Sequence, residues 1–239
     1  MKDQLERALA RLEQNYVLHA NVIDCIQRNE GVLVHFDNDG ILVLHQPADV
    51  YYLVPFNSVG LTKMCDVLKS RPRDAVVLTG ERFLPEYRAL MGTSYETPCF
   101  QAVFTKRQEV DGIRPDVEIR LIGPEYAEFV THHYARSWGN VDYCRERLAS
   151  GKMYGAFIGA QCVGFIGQHT EHSIGLLQIL PEYAGKGIGK KLECFMINKL
   201  IDEGHIAYCH VVDTEHDAYR FHIKKDGVLM SQDKVIWTH

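Results

Sequence analysis

The sequence predicts an α+β fold: a mixed, mainly antiparallel, twisted sheet flanked by helices. Three observations predict it. Short apolar runs are joined by tight glycine-containing turns, as in hairpins. Stretches with apolar residues at helical spacing interrupt them. The same order of elements also occurs twice, first over residues 31–104 and again over residues 153–238.

The first half opens on two helical stretches, Lys2 to Glu13 and Tyr16 to Arg28. Gly31 to Phe36 and Ile41 to His45 read as strands flanking a turn at Asn38-Asp39-Gly40, and Val50 to Val54 as a third strand. Leu61 to Leu68 is a helix, Ala75 to Leu78 a strand, Leu84 to Met91 a helix and Phe100 to Phe104 a strand. The polar segment Lys106 to Pro115, with its glycine and proline, reads as the linker, dividing the chain into domains at 1–110 and 116–239.

In the second half, Val117 to Ile122 alternates apolar and charged residues before Gly123-Pro124, as a strand entering a helix should. Tyr126, Phe129, Val130 and Tyr134 share one face of that helix, and a short helix follows over Val141 to Leu148. Met153 to Ile158 and Cys162 to His169 flank Gly159-Ala160-Gln161 as a hairpin, and Ser173 to Leu180 continues the meander. Ile188, Leu192, Phe195, Met196 and Leu200 recur at helical spacing until Gly204 ends the helix. His205 to Val212 is then a strand, Glu215 to Lys225 a helix, and Val228 to Thr238 a final bent strand or strand pair.

The strand ending at Leu180 meets its helix through Pro181-Glu182-Tyr183-Ala184-Gly185-Lys186-Gly187-Ile188-Gly189-Lys190-Lys191. Glycines at 185, 187 and 189 let backbone N–H groups approach an anion at the positive end of a helix, which reads as a pyrophosphate cradle. A Walker loop is excluded, because its first glycine falls on Ala184 and Lys191 stands where Ser or Thr is needed. A dinucleotide fingerprint is excluded because its third glycine falls on Lys190. What fits is the acyl-CoA loop, Gln or Arg, two residues, Gly, one residue, Gly or Ala, and the C-terminal half of the chain resembles the GCN5-related N-acetyltransferase (GNAT) family.

That resemblance implies the acyl-CoA N-acyltransferase fold, with acetyl-CoA as acyl donor and no metal. It places cofactor contacts at Ile179, Leu180, Ala184, Gly185, Lys186, Gly187, Ile188, Gly189 and Lys190. Ala184 departs from the family pattern, which has Gln or Arg there, so one side-chain contact is missing while the backbone donors remain. The family's strands on either side of the loop helix splay apart to admit the pantetheine arm, and on this sequence the exposed backbone is that of Ile179 and Leu180, whose N–H groups are the expected oxyanion donors. In the first half the equivalent place holds Pro55-Phe56-Asn57-Ser58-Val59-Gly60, with one glycine and a helix N-cap, so that half reads as a degenerate second copy.

Acyl transfer from a thioester to an amine needs a neutral nucleophile, an oxyanion donor and a proton for the departing thiolate. The family often places a Tyr four residues after a small residue in its last helix. Ala218 leads here to His222, followed by Lys224 and Gly227, so the catalytic proton donor is expected at His222. Glu215 stands where the family often has Asn. Glu171 is the expected general base, with His169 and His172 as neighbouring candidates, against the simpler reading of a solvated hairpin. Trp138 and Tyr134 are candidates for an acceptor pocket. His132-His133, His205 and His210 lack Cys, His or carboxylate partners at metal-site spacing, so no metal is expected.

Composition bounds the rest. The chain has 239 residues, 46% hydrophobic and 24% charged, an ordinary globular profile with room for two modest cores. No apolar run is long enough for a membrane span, and the charged start is unlike a signal peptide, so a cytoplasmic location is expected. The 7 cysteines are scattered within apolar patterns, as reduced buried thiols are. A net charge of -5 argues against a nucleic-acid surface and is compatible with a cationic amine substrate. The expected partners are a small-molecule or protein amine acceptor and a second copy of the chain as a homodimer, with neither nucleic acid nor membrane. An N-acetyltransferase is the leading reading; a catalytically inactive acyl-CoA-binding sensor or regulatory protein, motivated by Ala184, Glu215 and His222, is its rival, and a pairing protein with a vestigial loop is a third.

Overall fold

The computed structural model describes residues 2–73, 75–110, 112–134 and 141–239. Two compact units form: residues 1–103 with 210–239, and residues 104–209. The last thirty residues therefore pack with the first unit, whereas the sequence boundary assigns them to the second domain. Periodicity fixes an element's type but not the sheet it joins, which is why the sequence does not show this. Among the described residues no helix is long and apolar enough to cross a membrane.

In the first unit, α1 (Lys2–Leu12) and α2 (Tyr16–Gln27) precede β1 (Gly31–Phe36), β2 (Gly40–His45) and β3 (Val50–Pro55). Then come α3 (Ser58–Lys69), β4 (Ala75–Thr79), α4 (Leu84–Met91) and β5 (Glu96–Phe104). The second unit contributes β6 (Glu118–Leu121), α5 (Ala127–His133), α6 (Val141–Ala149), β7 (Met153–Ile158), β8 (Gln161–Gln168), β9 (Ile174–Ile179) and α7 (Ile188–Asp202). The chain closes with β10 (Ala207–Val212), α8 (His216–Ile223) and β11 (Val228–Thr238), a single long strand. Its sheets are a seven-stranded one, β1-β2-β3-β4-β11-β5-β10, and a four-stranded one, β6-β7-β8-β9. Hairpin, third strand, helix, strand, helix, strand is thus the observed element order in both halves.

β3 is zipped on both sides, antiparallel to β2 and parallel to β4 with Val50 to Leu53 opposite Ala75 to Leu78. Among the described residues β9 pairs in its sheet with β8 alone, and so presents an edge. The first-unit core gathers Leu42, Leu53, Leu61, Met64, Leu68, Leu78, Tyr87 and Ile236. The second-unit core gathers Val130, Leu148, Met153, Phe157, Phe165 and Leu176, with Tyr126, Phe129 and Tyr134 packed against it. Each fully buried large side chain contributes about 1.5–3 kcal/mol by leaving water. All seven cysteines are buried thiols.

The N-terminus of α3 is closed by the β1–β2 turn. Asn57 caps it, its Oδ1 accepting the Gly60 N–H at 2.9 Å. The Asp39 carbonyl takes the Phe56 N–H at 2.8 Å. It also lies only 2.0 Å from where a Cβ on Gly60 would stand, so that glycine is required by close approach. Lys63 Nζ binds Asp37 at 2.8 Å and Asp39 at 2.6 Å. Lys63 holds the Asp37 carboxyl down to about 2, from an ordinary 3.8. A carboxyl depressed by folding stabilises the fold above its unfolded value, and the contribution fades as pH falls from about 4 toward 2. Asp37→Asn is expected to flatten the acid limb of the melting temperature over that window, with the small amplitude of an exposed pair; an unchanged limb would remove the pair from the acid response.

Candidate functional site

The chain leaves β9 through Leu180 and a short 3-10 turn, Pro181–Tyr183, and reaches an extended Ala184 (φ -63, ψ 154). Gly185 (φ 72) and Gly187 (φ 83) lie in the left-handed region that side chains disfavour. Gly189 does not: it sits in the first turn of α7, where a Cβ would rest 3.5 Å from Ile179 Cγ1, an ordinary contact. Two of the three glycines are therefore conformationally required. The third needs only a small residue.

α7 begins after Gly187 without a side-chain cap. Its first helical bond runs from Lys191 N–H to the Gly187 carbonyl at 3.1 Å, so the preceding first-turn N–H groups, those of Ile188, Gly189 and Lys190, have no intrahelical acceptor. Ala184, Gly185, Lys186, Gly187 and Lys190 are exposed, while Ile188, Leu192, Met196 and Leu200 are buried and anchor the helix. Phe195, only partly buried, packs edge-on to Tyr154 with centroids 4.9 Å apart. Lys186 folds back, its amine donating to the Glu182 carbonyl at 2.8 Å. An open, exposed N-terminus with a positive dipole end is a fit for diphosphate oxygens. The equivalent end of α3 has its cap filled by Asn57.

β9 supplies the second part of the site. Leu180 N–H donates to the Val163 carbonyl at 3.0 Å, so it is spent in the ladder and is not available as an oxyanion donor. Ile179, opposite Gly164, alternates with that bonded pair and turns its N–H to the open edge. Between Phe165–Gln178 and Gly167–Gly175 the register slips, leaving Leu176 and Leu177 opposite Ile166 alone. This is a bulge, and Leu176 carries it at φ 49, an uncommon conformation for leucine. Strain of this kind clusters at functional sites, and the sequence gives no hint of it because leucine carries no turn signal.

Glu171 does not lie in a solvated hairpin. It is 9% exposed, with His172 at 4% and Ser173 at 2%. Ser173 Oγ donates to its carboxylate at 2.5 Å, and the Tyr208 hydroxyl donates to its backbone carbonyl at 2.5 Å. Burial, assisted by the Glu171 charge, pushes the Tyr143 phenol well above its usual range, and that hydroxyl is 2.7 Å from His169 Nδ1. Glu171 stands at the hairpin end of β9, whereas Ile179 ends the strand, so the two are not brought together. His222 lies on α8 of the first unit, its ring edge-on to Phe221 at 5.4 Å, while the glycine loop belongs to the second unit. Tyr134 packs on Phe165 at 6.5 Å beside the core. Trp138 lies outside the described residues.

Described residues of the stretch Lys106 to Pro115, read from sequence as a linker, are strapped along α7 together with Val117. Arg107 pairs with Asp202, and Gln108 and Asn198 exchange two hydrogen bonds of 2.7 and 2.9 Å. Lys191 Nζ donates to the carbonyls of Arg114 at 2.8 Å and Val117 at 2.7 Å. Arg114 Nη1 in turn donates to the Lys186 carbonyl at 3.2 Å. Sequence reasoning missed Arg114 and Lys191, since a polar segment with Gly and Pro carries no sign of the helix it will line.

The sequence model of the acetyltransferase (GNAT) family matches residues 119–227. An uncharacterized N-acetyltransferase of Escherichia coli, YafP, is 33% identical over 76 residues, 31% of this chain and 50% of that protein. The chain thus matches about half the length of that curated relative. Among solved structures, a Drosophila protein superposes with a TM-score of 0.68 at 15% identity, over 100% of this chain and 97% of that one. A GCN5-related N-acetyltransferase-like protein from Streptococcus suis gives 0.56 at 13% identity over 98% and 100%. A GCN5-related N-acetyltransferase from Kribbella flavida gives 0.55 at 11% identity over 94% of each chain. These structural likenesses concern the fold, which is the acyl-CoA N-acyltransferase fold. The resemblance to the acetyltransferase (GNAT) family thus lies in residues 119–227.

Proposed function

We propose that the chain is an N-acetyltransferase that moves an acetyl group from acetyl-CoA to a primary amine of a small molecule or protein by direct attack. The observation that carries this reading is the uncapped, exposed start of α7 behind two left-handed glycines, continuous with an edge strand that bears a bulge. Diphosphate oxygens take the first-turn N–H groups of α7, and the pantetheine arm pairs with the outward backbone of Ile179. That arm, a little over four extended residues in bond count, reaches on the order of 15 Å. Measured back along β9 at ~3.3 Å per residue, its thioester comes to the bulge at Leu176 and Leu177.

There the amine nitrogen attacks the thioester carbonyl, the C–N bond forms, and the carbonyl oxygen develops charge that a backbone N–H of the bulge stabilises. The C–S bond then breaks. The thiolate takes a proton from His222, the donor that the family resemblance implies, and the ammonium proton leaves by water to Glu171, in the turn that precedes β9. His222→Phe and Glu171→Gln are each expected to slow thiol release while leaving CoA affinity unchanged. Unchanged rates and pH profiles would remove these residues from the mechanism.

The first half is proposed to be a degenerate copy of the same domain. Its α3 N-terminus is capped and its β3 edge zipped, so one acyl-CoA per chain is expected in calorimetry; two sites of similar affinity would contradict this. Thiol release over an amine panel tests the activity. Binding without release from any amine would favour the inactive sensor that Ala184, Glu215 and His222 motivate.

A further inference from the structure

Ala184 leaves the cradle without the side chain that the loop pattern provides, and the structure brings a guanidinium to the same loop from the strap. Arg114 adopts φ 44, a conformation held from behind by Lys191 on its carbonyl. Its stem passes the loop, with Cγ 3.8 Å from where a Cβ on Gly187 would stand. Its Nε and Nη2 bind Asp116 at 2.8 and 2.5 Å, and its Nη1 binds the Lys186 carbonyl at 3.2 Å. A guanidinium has five N–H donors, so one on each terminal nitrogen remains beyond these three bonds. The side chain is 24% exposed, beside the exposed residues 184–187.

We propose that Arg114 is a diphosphate-binding residue of the cradle, supplying from the strap the planar, charged fork that residue 184 lacks. Delocalised charge and paired donors suit phosphate oxygens. Asp116 holds the fork in place before the ligand arrives and competes with the ligand for it afterwards. The inference rests on the acyl-CoA reading of the loop.

The test is a titration of CoA, and of S-acetylpantetheine, which lacks the diphosphate, into wild type, Arg114→Gln, Arg114→Lys and Asp116→Asn. Arg114→Gln is expected to weaken CoA at least tenfold, to flatten the salt dependence of binding, and to leave S-acetylpantetheine affinity and melting temperature unchanged. Arg114→Lys, keeping charge without the fork, should fall between. Asp116→Asn should bind CoA as tightly as wild type or up to a few-fold tighter. If Arg114→Gln binds CoA like wild type, the inference is wrong while the loop reading stands. If Asp116→Asn loses as much affinity as Arg114→Gln, Arg114 is only a brace and the inference is overturned. Failure of wild type to bind CoA at all would remove the loop reading itself, and this inference with it.

Discussion

Gly187→Val is expected to abolish CoA binding, weakening it by more than a hundredfold, in a protein that still folds. Gly187 is the N-cap of α7 at φ 83, ψ -2. A non-glycine residue there costs about 1–2 kcal/mol, and a β-branched one sits at the upper end. A Cβ there would lie no closer to the described neighbours than 3.8 Å, from Arg114 Cγ, so the fold accommodates a side chain and the damage is expected at the cradle. Either the loop relaxes, turning its N–H groups away, or valine stays and occupies the space the diphosphate needs. Gly189→Ala is the control. Its Cβ makes only an ordinary contact with Ile179, so binding should stay within a few-fold, and helix propensity should add up to ~1 kcal/mol of stability. Isothermal titration and thermal melting of both variants read the contrast. Equal binding by Gly187→Val and wild type would end the loop assignment.

Deleting Leu176 is expected to lower turnover by roughly a hundred- to a thousandfold, the scale of losing one oxyanion donor. Without it, Leu177 would face Ile166 and the pairs Gln178–Phe165 and Gly175–Gly167 would keep their partners, so the deletion straightens β9 without shifting its register. A straightened ladder would take up the bulge N–H proposed to stabilise the oxyanion. Leu176 is also fully buried, and losing its side chain costs about 2–5 kcal/mol. Leu176→Ala carries a similar stability loss but keeps the bulge, so it should retain turnover at temperatures where both variants are folded. CoA affinity should survive in both, because the α7 N-terminus is untouched. If the deletion variant turns over as fast as Leu176→Ala, the bulge has no catalytic part.

Local structure was largely legible in the sequence. The helical spacing of Ile188, Leu192, Met196 and Leu200 and the glycine turn at 159 each marked an element that the structure contains. Gly185 and Gly187 were legible because positive φ selects for glycine itself. Gly189 was over-read, since a helical first turn and a small neighbour gap look the same in sequence. Burial of Glu171, His172 and Ser173 was hidden because a Thr-Glu-His-Ser turn has the composition of a solvated one. The strap was hidden for a related reason: Asn198 and Lys191, on the far side of a helix, decide where residues 108 and 114 lie. β11 shows the same limit at the level of sheets. Its apolar pattern announces a strand, yet its place between β4 and β5 follows from long-range pairing that no local window contains.

The proposed activity depends above all on the loop at 184–190 being a single acyl-CoA site. Calorimetric titration of the full chain with acetyl-CoA, paired with its melting temperature, tests it most directly. One ligand per chain with a rise in melting temperature that grows with ligand concentration is the predicted result. No heat and no stabilisation at millimolar acetyl-CoA or CoA would contradict it.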